Sequence, residues 1–427
     1  MNNMKFKTYT KYKDSGIDWI GEIPEGWEVH RIKSFVPCIK NGQWGDDSSG
    51  GNNDFIVLRV ADFLEFNFDL NKELTIRNVK NTKLRLKEGD LVIEKSGGGE
   101  KQIVGRAVQL KNPSKEKKYT YSNFIGKFEI SNRMNKTFLN YYFKAFYNNR
   151  VNFNYIKQTT GIQNLDSASL IQREYFAYPT DKNYQKSIVS FLDKKIAELY
   201  ELIEKDKKLI GLLKEKRSAL INQAVTKGLD PNTKMKKVNL LNCHETPENW
   251  QIIRIKFVLR LSRGVDLSND NFKEGNIPIY GSNGIIGYHN KTTSKGPGVT
   301  VGRSGSVGEV NYVSEKRYWA HNTSLYLQED YGNNVRYIYY LLLILDLKHL
   351  AAGSAVGTLN RNYIHELFVS LPSKSEQQKI VDYLDKAIVK IDKTIQKIEK
   401  KIELLEEYKK SLIHHTVTGK IDVRGVC

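Results

Sequence analysis

The sequence is poor in the residues that several common kinds of site require. Only three of its 427 residues are cysteines, and Cys38, Cys243 and Cys427 lie far apart with no CxxC pair among them. This spacing argues against a disulfide framework or a zinc knuckle, and a reducing cytoplasm is the expected location. No phosphate loop of the form G-x-x-x-x-G-K-[ST] occurs, and the glycine series that begins at Gly302 lacks the Rossmann spacing.

Long apolar runs are also missing. The longest, Tyr337 to Leu345, is far shorter than the roughly 20 residues that cross a bilayer. The first residues are lysine-rich but lack the apolar core of a secretory signal. We therefore expect a cytoplasmic protein that has no membrane partner.

Catalytic and metal-binding patterns are equally scarce. Asp90, Glu94 and Lys95 superficially resemble the acidic set of metal-dependent nucleases, but Glu94 and Lys95 are adjacent and would point to opposite faces of a strand. His414 and His415 have no carboxylate or cysteine partner at ligand spacing. The Asp-Pro-Pro-Tyr and Asn-Pro-Pro-Phe segments of adenine methyltransferases are absent. The sequence thus predicts no catalytic residue, no metal site and no cofactor on this chain.

Positive charge is abundant by contrast. The formal net charge is +19, from 67 Lys and Arg against 48 Asp and Glu. Two long helical stretches are nearly balanced, with nine basic and six acidic residues in 183–224 and nine and eight in 375–416. The excess therefore belongs to the remaining blocks, where a polyanion would bind. Nucleic acid is the first partner that this charge indicates, and an anionic membrane is the second.

The chain repeats itself at an offset of 192 residues. QKSIVSFLD at 185–193 matches QQKIVDYLD at 377–385, and the offset still holds between 224–226 and 416–418. Such self-similarity indicates a duplicated architecture. The predicted boundaries are 1–182 for the first globular block, 183–226 for the first helix, 227–243 for a linker, 244–374 for the second block, 375–417 for the second helix and 418–427 for a tail.

The globular blocks are expected to be α+β. Short strands are predicted at 55–61, 91–94, 104–110 and 123–130, bounded by Gly, Asn and Asp, and aromatic-rich helices at 136–149 and 335–349. The block order also matches internally, with Tyr141-Tyr142 placed like Tyr339-Tyr340. The fold class is therefore two tandem pseudo-repeats, each a mixed block followed by a long helix.

The two long helices carry a heptad seam that predicts an antiparallel coiled coil. At 1.5 Å per residue each would be about 63 Å long, so that the blocks are expected at opposite ends of a rod. Asp206, Arg217 and Lys409 interrupt the seam. The predicted seam consists of Ile196, Leu199, Ile203, Ile210, Leu213, Leu220, Ile388, Ile391, Ile395, Ile398, Ile402, Leu405 and Leu412.

Glycine-rich turns beside cations and amides form the candidate DNA-binding set. Glycine lets the backbone approach a phosphate closely, a lysine or arginine neutralises it, and Asn, Ser and His reach base edges. Each feature alone is also consistent with an ordinary turn. The candidates are Lys95, Ser96, Gly97, Lys101, Arg106, Ser122, Asn123, Tyr280, Ser282, Asn283, His289, Lys291, Arg303, Ser304, Trp319, His321 and Asn322.

The blocks differ in their loops. The stretch from Ser96 to Gly105 is five residues longer than the stretch from Ser304 to Gly308. The loop 280–288 has no obvious copy in the first block, and the tract 41–47 has none in the second. We therefore predict that the two blocks read different sequences.

Several segments resemble the specificity subunits of type I restriction–modification systems. They are YKDSGIDWIGEIPEGW at 12–27, GDLV at 89–92, IPIYGSNGIIGY at 277–288 and the two helix starts at Gln185 and Gln377. The resemblance covers nearly the whole chain, and the duplication makes it specific.

The resemblance implies that each block is a target-recognition domain for one half of a bipartite, asymmetric DNA site. The helix pair would act as a spacer and as the docking surface for two methyltransferase subunits, which bind S-adenosylmethionine and methylate adenine N6. A motor–nuclease subunit, using ATP and Mg²⁺, would cleave unmodified DNA. The specificity subunit itself would not be an enzyme. A stand-alone DNA-binding coiled-coil scaffold, or a nuclease without partners, is the alternative hypothesis.

Overall fold

The computed structural model describes residues 6–97, 102–158, 161–351 and 357–425. These residues form two compact units. One comprises the residues up to Lys205 together with those from Lys401 onward, and the other is Asp206–Lys400. Two long helices, Lys182–Lys227 and Lys374–Val417, each contribute residues to both units. The predicted mixture of strands and long helices is confirmed.

In its described residues the first unit contains seventeen strands and the helices Lys136–Asn148 and Ser167–Arg173. The strands are β1 (Tyr12–Asp14), β2 (Glu22–Pro24), β3 (Trp27–Arg31), β4 (Cys38–Asn41), β5 (Asp46–Asp47), β6 (Asp54–Leu58), β7 (Phe63–Leu64), β8 (Asn67–Phe68), β9 (Ile76–Asn78), β10 (Leu91–Glu94), β11 (Ser96–Gly97), β12 (Ala107–Gln109), β13 (Tyr119–Tyr121), β14 (Ile125–Glu129), β15 (Ile156–Gln158), β16 (Gln163–Leu165) and β17 (Tyr175–Pro179).

The described part of the second unit contains twelve strands and the short helices Val335–Leu343 and Arg361–His365. The strands are β18 (Met235–Lys237), β19 (Glu245–Pro247), β20 (Gln251–Arg254), β21 (Arg260–Arg263), β22 (Ile277–Gly281), β23 (Gly284–His289), β24 (Ser294–Lys295), β25 (Gly298–Gly302), β26 (Val310–Val313), β27 (Arg317–Ala320), β28 (Ser324–Glu329) and β29 (Phe368–Leu371).

The sheets of the two units share one topology. An antiparallel sheet runs β12-β10-β14-β4 in the first unit and β26-β25-β28-β21 in the second. A second sheet contains one parallel pair in each unit, β6 with β13 and β22 with β27. A small antiparallel pair, β3 with β17 and β20 with β29, lies at the start of each long helix. The duplication read from the helices therefore extends through the blocks.

The strand pairing corrects two of the expected differences between the blocks, those at the loop 280–288 and at the tract 41–47. β6 pairs with β9 as β22 pairs with β23, so the loop 280–288 does have a counterpart in the first unit. The counterpart was not obvious because residues 59–75 join β6 to β9, whereas only Ser282 and Asn283 join β22 to β23. The tract 41–47 is also not wholly unmatched, because Gly42 and Gly264 follow the equivalent strands β4 and β21.

The long helices pack antiparallel in each unit. In the first, Tyr200 contacts Lys409 at 4.2 Å from ring to Nζ, and the earlier Tyr184 reaches Asp422 beyond the end of the second helix. In the second unit, Arg217 pairs with Asp392 at 3.4 Å. The predicted antiparallel coiled coil is confirmed, and the seam exceptions Arg217 and Lys409 make contacts with the facing helix. Nine seam residues are buried, and Ile210, Leu213, Leu220 and Ile402 are half-buried.

Two details of the aromatic helices differ from the sequence prediction. The second aromatic helix ends at Leu343 instead of continuing to 349. Beyond it Leu345 and Leu347 are both buried, and two residues spaced by two do not lie on one face of a helix. Tyr141 donates a hydrogen bond to Asp193 at 2.7 Å, and Tyr340 donates one to Asp385. Tyr141 therefore corresponds to Tyr340, one position away from the predicted match.

No helix in the described ranges is long and apolar enough to cross a membrane. Within the same residues there is also no cluster of His, Cys, Asp and Glu that could hold a metal ion.

Candidate nucleic-acid interface

The candidate site in each block is built on the same backbone frame. The N–H groups of Lys95 and Ser96 donate to the carbonyl of Phe124 at 2.8 and 3.3 Å. Those of Arg303 and Ser304 donate to the carbonyl of Thr323 at 2.8 and 3.2 Å. Each cation therefore lies at the end of a central strand, held beside the turn that precedes β14 or β28.

Glycine is needed where another strand approaches this turn. A Cβ on Gly42 would lie 2.2 Å from the carbonyl oxygen of Ser122, and one on Gly264 would lie 2.1 Å from that of His321. Real Cβ atoms do not approach backbone that closely, so only glycine fits both positions. The close approach brings the preceding residues, Asn41 and Arg263, beside the cations.

We call the surface formed in the first unit by Asn41, Lys95, Ser96, Asn123 and Phe124 the first basic edge. Lys95 Nζ donates to the side-chain oxygen of Asn41, and Ser96 Oγ donates to Asn164 Oδ1 at 2.5 Å. Asn123 and Phe124 are exposed. Burial lowers the pKa of the Lys95 ammonium. The edge therefore presents a cation, a hydroxyl, two amides and an apolar ring within one surface.

We call the corresponding surface of the second unit, formed by Arg263, Ser282, Arg303, Ser304 and Asn322, the second basic edge. The Arg303 guanidinium donates to the carbonyl oxygen of Asn322 at 3.4 Å. Burial and the neighbouring charge of Arg263 lower the pKa of Arg303. Two guanidinium groups in proximity favour an anion such as phosphate, which each can contact with two N–H groups.

The amide of Asn322 is already oriented within the second basic edge. Its Nδ2 donates to the carboxylate of Asp266. Next to it, His321 contacts Thr323 Oγ1 at 2.8 Å through Nδ1 and the carbonyl of Leu267 at 3.1 Å through Nε2. His321 therefore holds the turn in place, while the side-chain oxygen Oδ1 of Asn322 can still accept a hydrogen bond.

The remaining predicted residues of the second unit are divided between surface and interior. Asn283, in the β22–β23 turn, and Lys291 are exposed. Tyr280 and His289 are buried, with the Tyr280 hydroxyl donating to Glu315 at 3.0 Å and His289 Nδ1 accepting the backbone N–H of Lys273 at 3.0 Å. We do not include either residue in the proposed DNA-binding surface, because their polar atoms form hydrogen bonds within the block.

Trp319 is half-buried and serves mainly to hold a loop. Its indole N–H donates to the carbonyl of Val265 at 3.2 Å, and its ring lies 5.1 Å from that of His289. A base could stack only on the part of the ring that remains exposed.

Two predicted residues of the first unit also point inward. Arg106 Nε pairs with Glu94 at 3.0 Å, and its guanidinium lies 5.2 Å from the ring centre of Phe63. Ser122 is 1% exposed, so its hydroxyl is not at the surface. Arg106 compensates a buried carboxylate and Ser122 fills a turn, and neither presents its polar atoms outward. Gly97 adopts a φ of 128°, which favours glycine, whereas Lys101 lies outside the described residues.

The acidic residues near the first basic edge are used in ion pairs. Asp90 pairs with Lys127 at 2.8 Å and Lys136 at 2.9 Å. Burial alone would raise the pKa of Asp90, but hydrogen bonds from these two lysines lower it. Burial raises the pKa of Glu94 despite its pairing with Arg106. The geometry therefore gives no support to the nuclease reading of Asp90, Glu94 and Lys95.

Sequence reasoning missed three residues of the basic edges, Asn41, Phe124 and Arg263. Asn41 and Arg263 each directly precede the glycine that the turn requires, in Asn41-Gly42 and Arg263-Gly264. Aligning the strands β4 and β21 would have shown this signal. The pair also differs chemically, since an amide in the first block corresponds to a cation in the second.

Comparisons with known proteins find similar sequences. The family described as "Type I restriction modification DNA specificity domain" matches residues 247–404. A putative type I restriction enzyme MjaX specificity subunit from Methanocaldococcus jannaschii is 23% identical over 428 residues, which cover 95% of this chain and 96% of that protein.

Solved structures show the same fold. A chain from a structure titled for complex assembly and conformational transition of the type I R-M system matches with a TM-score of 0.71 and 13% identity, covering 93% of this chain and 99% of its own. The HsdS subunit from Thermoanaerobacter tengcongensis matches with a TM-score of 0.52 and 12% identity, covering 93% and 98%. Residues 247–404 are therefore similar to the type I restriction modification DNA specificity domain, and the resemblance of the chain to type I specificity subunits is confirmed.

Proposed function

We propose that this chain is the DNA sequence-specificity subunit of a type I restriction–modification complex and reads a bipartite, asymmetric site. Each globular block reads one half-site through its basic edge. The observation that carries the proposal is that one backbone frame presents different side chains in the two blocks. Asn41 and Lys95 of the first block stand where the second has Arg263 and Arg303.

This difference supports two dissimilar half-sites. Arginine makes paired hydrogen bonds to guanine or phosphate, whereas asparagine suits adenine and lysine acts as a point charge. The turn geometry that positions these groups is common to both blocks, so the recognition surfaces would meet DNA in similar orientations. The base sequences of the two half-sites would differ because the side chains and the loops 59–75 and 282–283 differ.

The long helices are proposed to bind partner subunits. Large apolar side chains remain exposed on them, including Leu209 and Leu212 in the second unit and Leu404 and Tyr408 in the first, each at least 38% exposed. Exposed apolar groups of this kind are typical of interaction surfaces. We propose that two methyltransferase subunits dock there with S-adenosylmethionine, and that a motor–nuclease subunit brings ATP and Mg²⁺.

In this proposal the chain recognises DNA but catalyses no reaction. Purified chain incubated with DNA, Mg²⁺ and S-adenosylmethionine should neither cut nor methylate the DNA, and activity should appear only when the partner subunits are added. Activity of the isolated chain would favour a self-sufficient nuclease or methyltransferase instead.

Competition binding distinguishes a specific reader from a scaffold that binds any duplex. At fixed salt, duplexes with both half-sites should compete more strongly than duplexes with either half scrambled. Equal competition by all duplexes would favour the scaffold.

A further inference from the structure

Lys144 is a buried cation of the first unit that has no role in the proposed DNA interface. It lies on the helix Lys136–Asn148 and is 8% exposed. Among the described residues, no hydrogen-bond acceptor or carboxylate pairs with its ammonium group. Its Nζ lies beside two rings, 4.9 Å from the centre of Tyr141 and 5.7 Å from that of Phe66. A buried ammonium without a counter-ion is costly.

The Lys144 side chain lines a cavity of about 310 Å³ within the first unit. Phe66, Tyr147 and Tyr200 also line it, and Lys409 closes it from the second long helix. The cavity is large enough for a small organic molecule and has aromatic surface on several sides. Its lining therefore combines apolar contact area with one buried cation that lacks a partner, whereas Lys410, which also lines it, is exposed to solvent.

The other charges around the cavity are paired or exposed to solvent. Lys409 pairs with Glu406 at 2.5 Å and Glu65 at 3.5 Å, Arg106 pairs with Glu94 at 3.0 Å, and Lys410 is exposed. Asp193 on the first long helix pairs with Lys111 at 3.5 Å and accepts from the Tyr141 hydroxyl at 2.7 Å. One buried positive charge, that of Lys144, remains, which a single negative charge would neutralise.

The second unit contains the matched cavity without this cation. A cavity of about 370 Å³ is lined by Arg217, Ile221 and Leu343. Arg217 and Ile221 lie 192 residues before Lys409 and Ile413, which line the first cavity. Leu343 is the ninth residue after the cap Asn334, as Lys144 is the ninth after Asn135. The fold therefore needs only an apolar side chain at this position, and the lysine serves another purpose.

We propose that the cavity of the first unit binds a small monoanion with an apolar body, of the carboxylate class. The carboxylate pairs with the Lys144 ammonium, and the apolar body packs against Phe66, Tyr147 and Tyr200. Such a ligand links the aromatic helix of the block to both long helices of the same unit. This site does not depend on the proposed DNA recognition.

Calorimetric titration of the full chain with benzoate tests the site, with benzyl alcohol as the neutral analogue of similar shape. Benzoate should bind at one site, and benzyl alcohol should bind about tenfold more weakly or worse, because it lacks the charge-assisted contact. Lys144→Leu, which copies Leu343, should weaken benzoate to the level of the alcohol. Lys95→Ala, which removes a cation from the first basic edge, should leave benzoate binding unchanged.

Protein stability separates loss of the site from loss of the fold. Lys144→Leu should raise the thermal midpoint, because it removes a buried unpaired charge. If that variant fails to fold, Lys144→Met keeps the unbranched stem and replaces it. Folded variants that bind benzoate as tightly as the wild type, or wild-type protein that does not bind it, would overturn the proposal.

The pH dependence adds a second readout. Burial lowers the pKa of Lys144 to about 8, so benzoate affinity should fall as the pH rises through that value. An affinity that stays constant from pH 7 to pH 9 would contradict pairing with Lys144. The titratable and charged groups that interact with Lys144 or line the cavity with it are Glu65, Arg106, Lys111, Tyr141, Tyr147, Asp193, Tyr200, Glu406, Lys409 and Lys410.

Discussion

Gln185 accepts a hydrogen bond from the backbone N–H of Asn135 at 2.9 Å, and thereby ties the first long helix to the cap of the aromatic helix. Its amide group also donates to the carbonyl of Pro179 at 2.9 Å. Gln377 makes the equivalent bonds with Asn334 at 3.0 Å and Pro372 at 3.2 Å. The glutamine that marks each repeat in the sequence therefore joins three segments of its unit.

We expect Gln185→Ala and Gln377→Ala to lower the free energy of unfolding by about 2 kcal/mol each. Both side chains are buried, so each substitution leaves a backbone donor and a carbonyl without a partner. Urea unfolding of the two variants measures the effect. Lys186→Ala, at an exposed neighbouring position, is the control and should change it little. Equal results for all three variants would contradict the anchoring role.

The repeated glutamines also show how much of the fold the sequence predicts. Heptad periodicity and a short apolar run are both local patterns, so the antiparallel coiled coil and the strand Leu91–Glu94 were predicted correctly. The hydrogen bond between Gln185 and Asn135 joins residues fifty positions apart, which no local pattern reveals. The one-residue error in matching Tyr141 arose in the same way, because the contact with Asp193 settles the alignment.

The candidate site was less predictable than the fold. Sequence identifies which residues can bind DNA but not which already have internal partners. Arg106 forms an ion pair with Glu94, and the Tyr280 hydroxyl donates a hydrogen bond to Glu315, thirty-five residues away. Asn41 and Arg263 enter the site only because strand pairing brings them beside Lys95 and Arg303.

Asn322→Ala should weaken reading of the second half-site alone. If its amide contacts a base edge, the loss should be about 1–3 kcal/mol in discrimination. Asn123→Ala in the first block is the matched variant and should affect only the first half-site. Competition with duplexes altered in one half at a time measures both effects. A loss of equal size at both half-sites would point to misfolding of the Asn322 variant.

Removing one heptad from each long helix in register should shorten the pair by about 10 Å. We expect the spacer between half-sites to shrink by a few base pairs while both half-site sequences stay the same. The methylation pattern of the deleted variant reports the spacer directly. Deleting a heptad from one helix only should disrupt the seam and reduce stability. Altered half-sites in the double deletion would argue against helices that act as a ruler.

His414 should make the first unit sensitive to mild acid. Burial, followed by the charges of His415 and Lys420, lowers the pKa of His414 to about 4. Its Nδ1 lies 3.0 Å from the amide nitrogen of Asn149, which fits a neutral ring that accepts there. The unfolded chain therefore takes up the proton first, and the free energy of unfolding should decrease as pH falls from 6.5 toward 4.

The size of this effect should be on the order of 1–2 kcal/mol, since solvent screening reduces it for a partly exposed ring. His414→Asn, which copies Asn222 at the equivalent position of the second unit, should remove part of the acid dependence. Thermal unfolding of both proteins between pH 7 and pH 4 measures it. Parallel curves for the two proteins would show that His414 does not contribute.

The central claim is that one chain recognises two different DNA sequences, one with each block. Mapping N6-methyladenine across the genome of cells that carry this chain with its methyltransferase tests it most directly. The account predicts a single bipartite motif, with two dissimilar half-sites separated by a spacer of unspecified bases. Methylation of a continuous palindrome, or of a motif with identical halves, would contradict it.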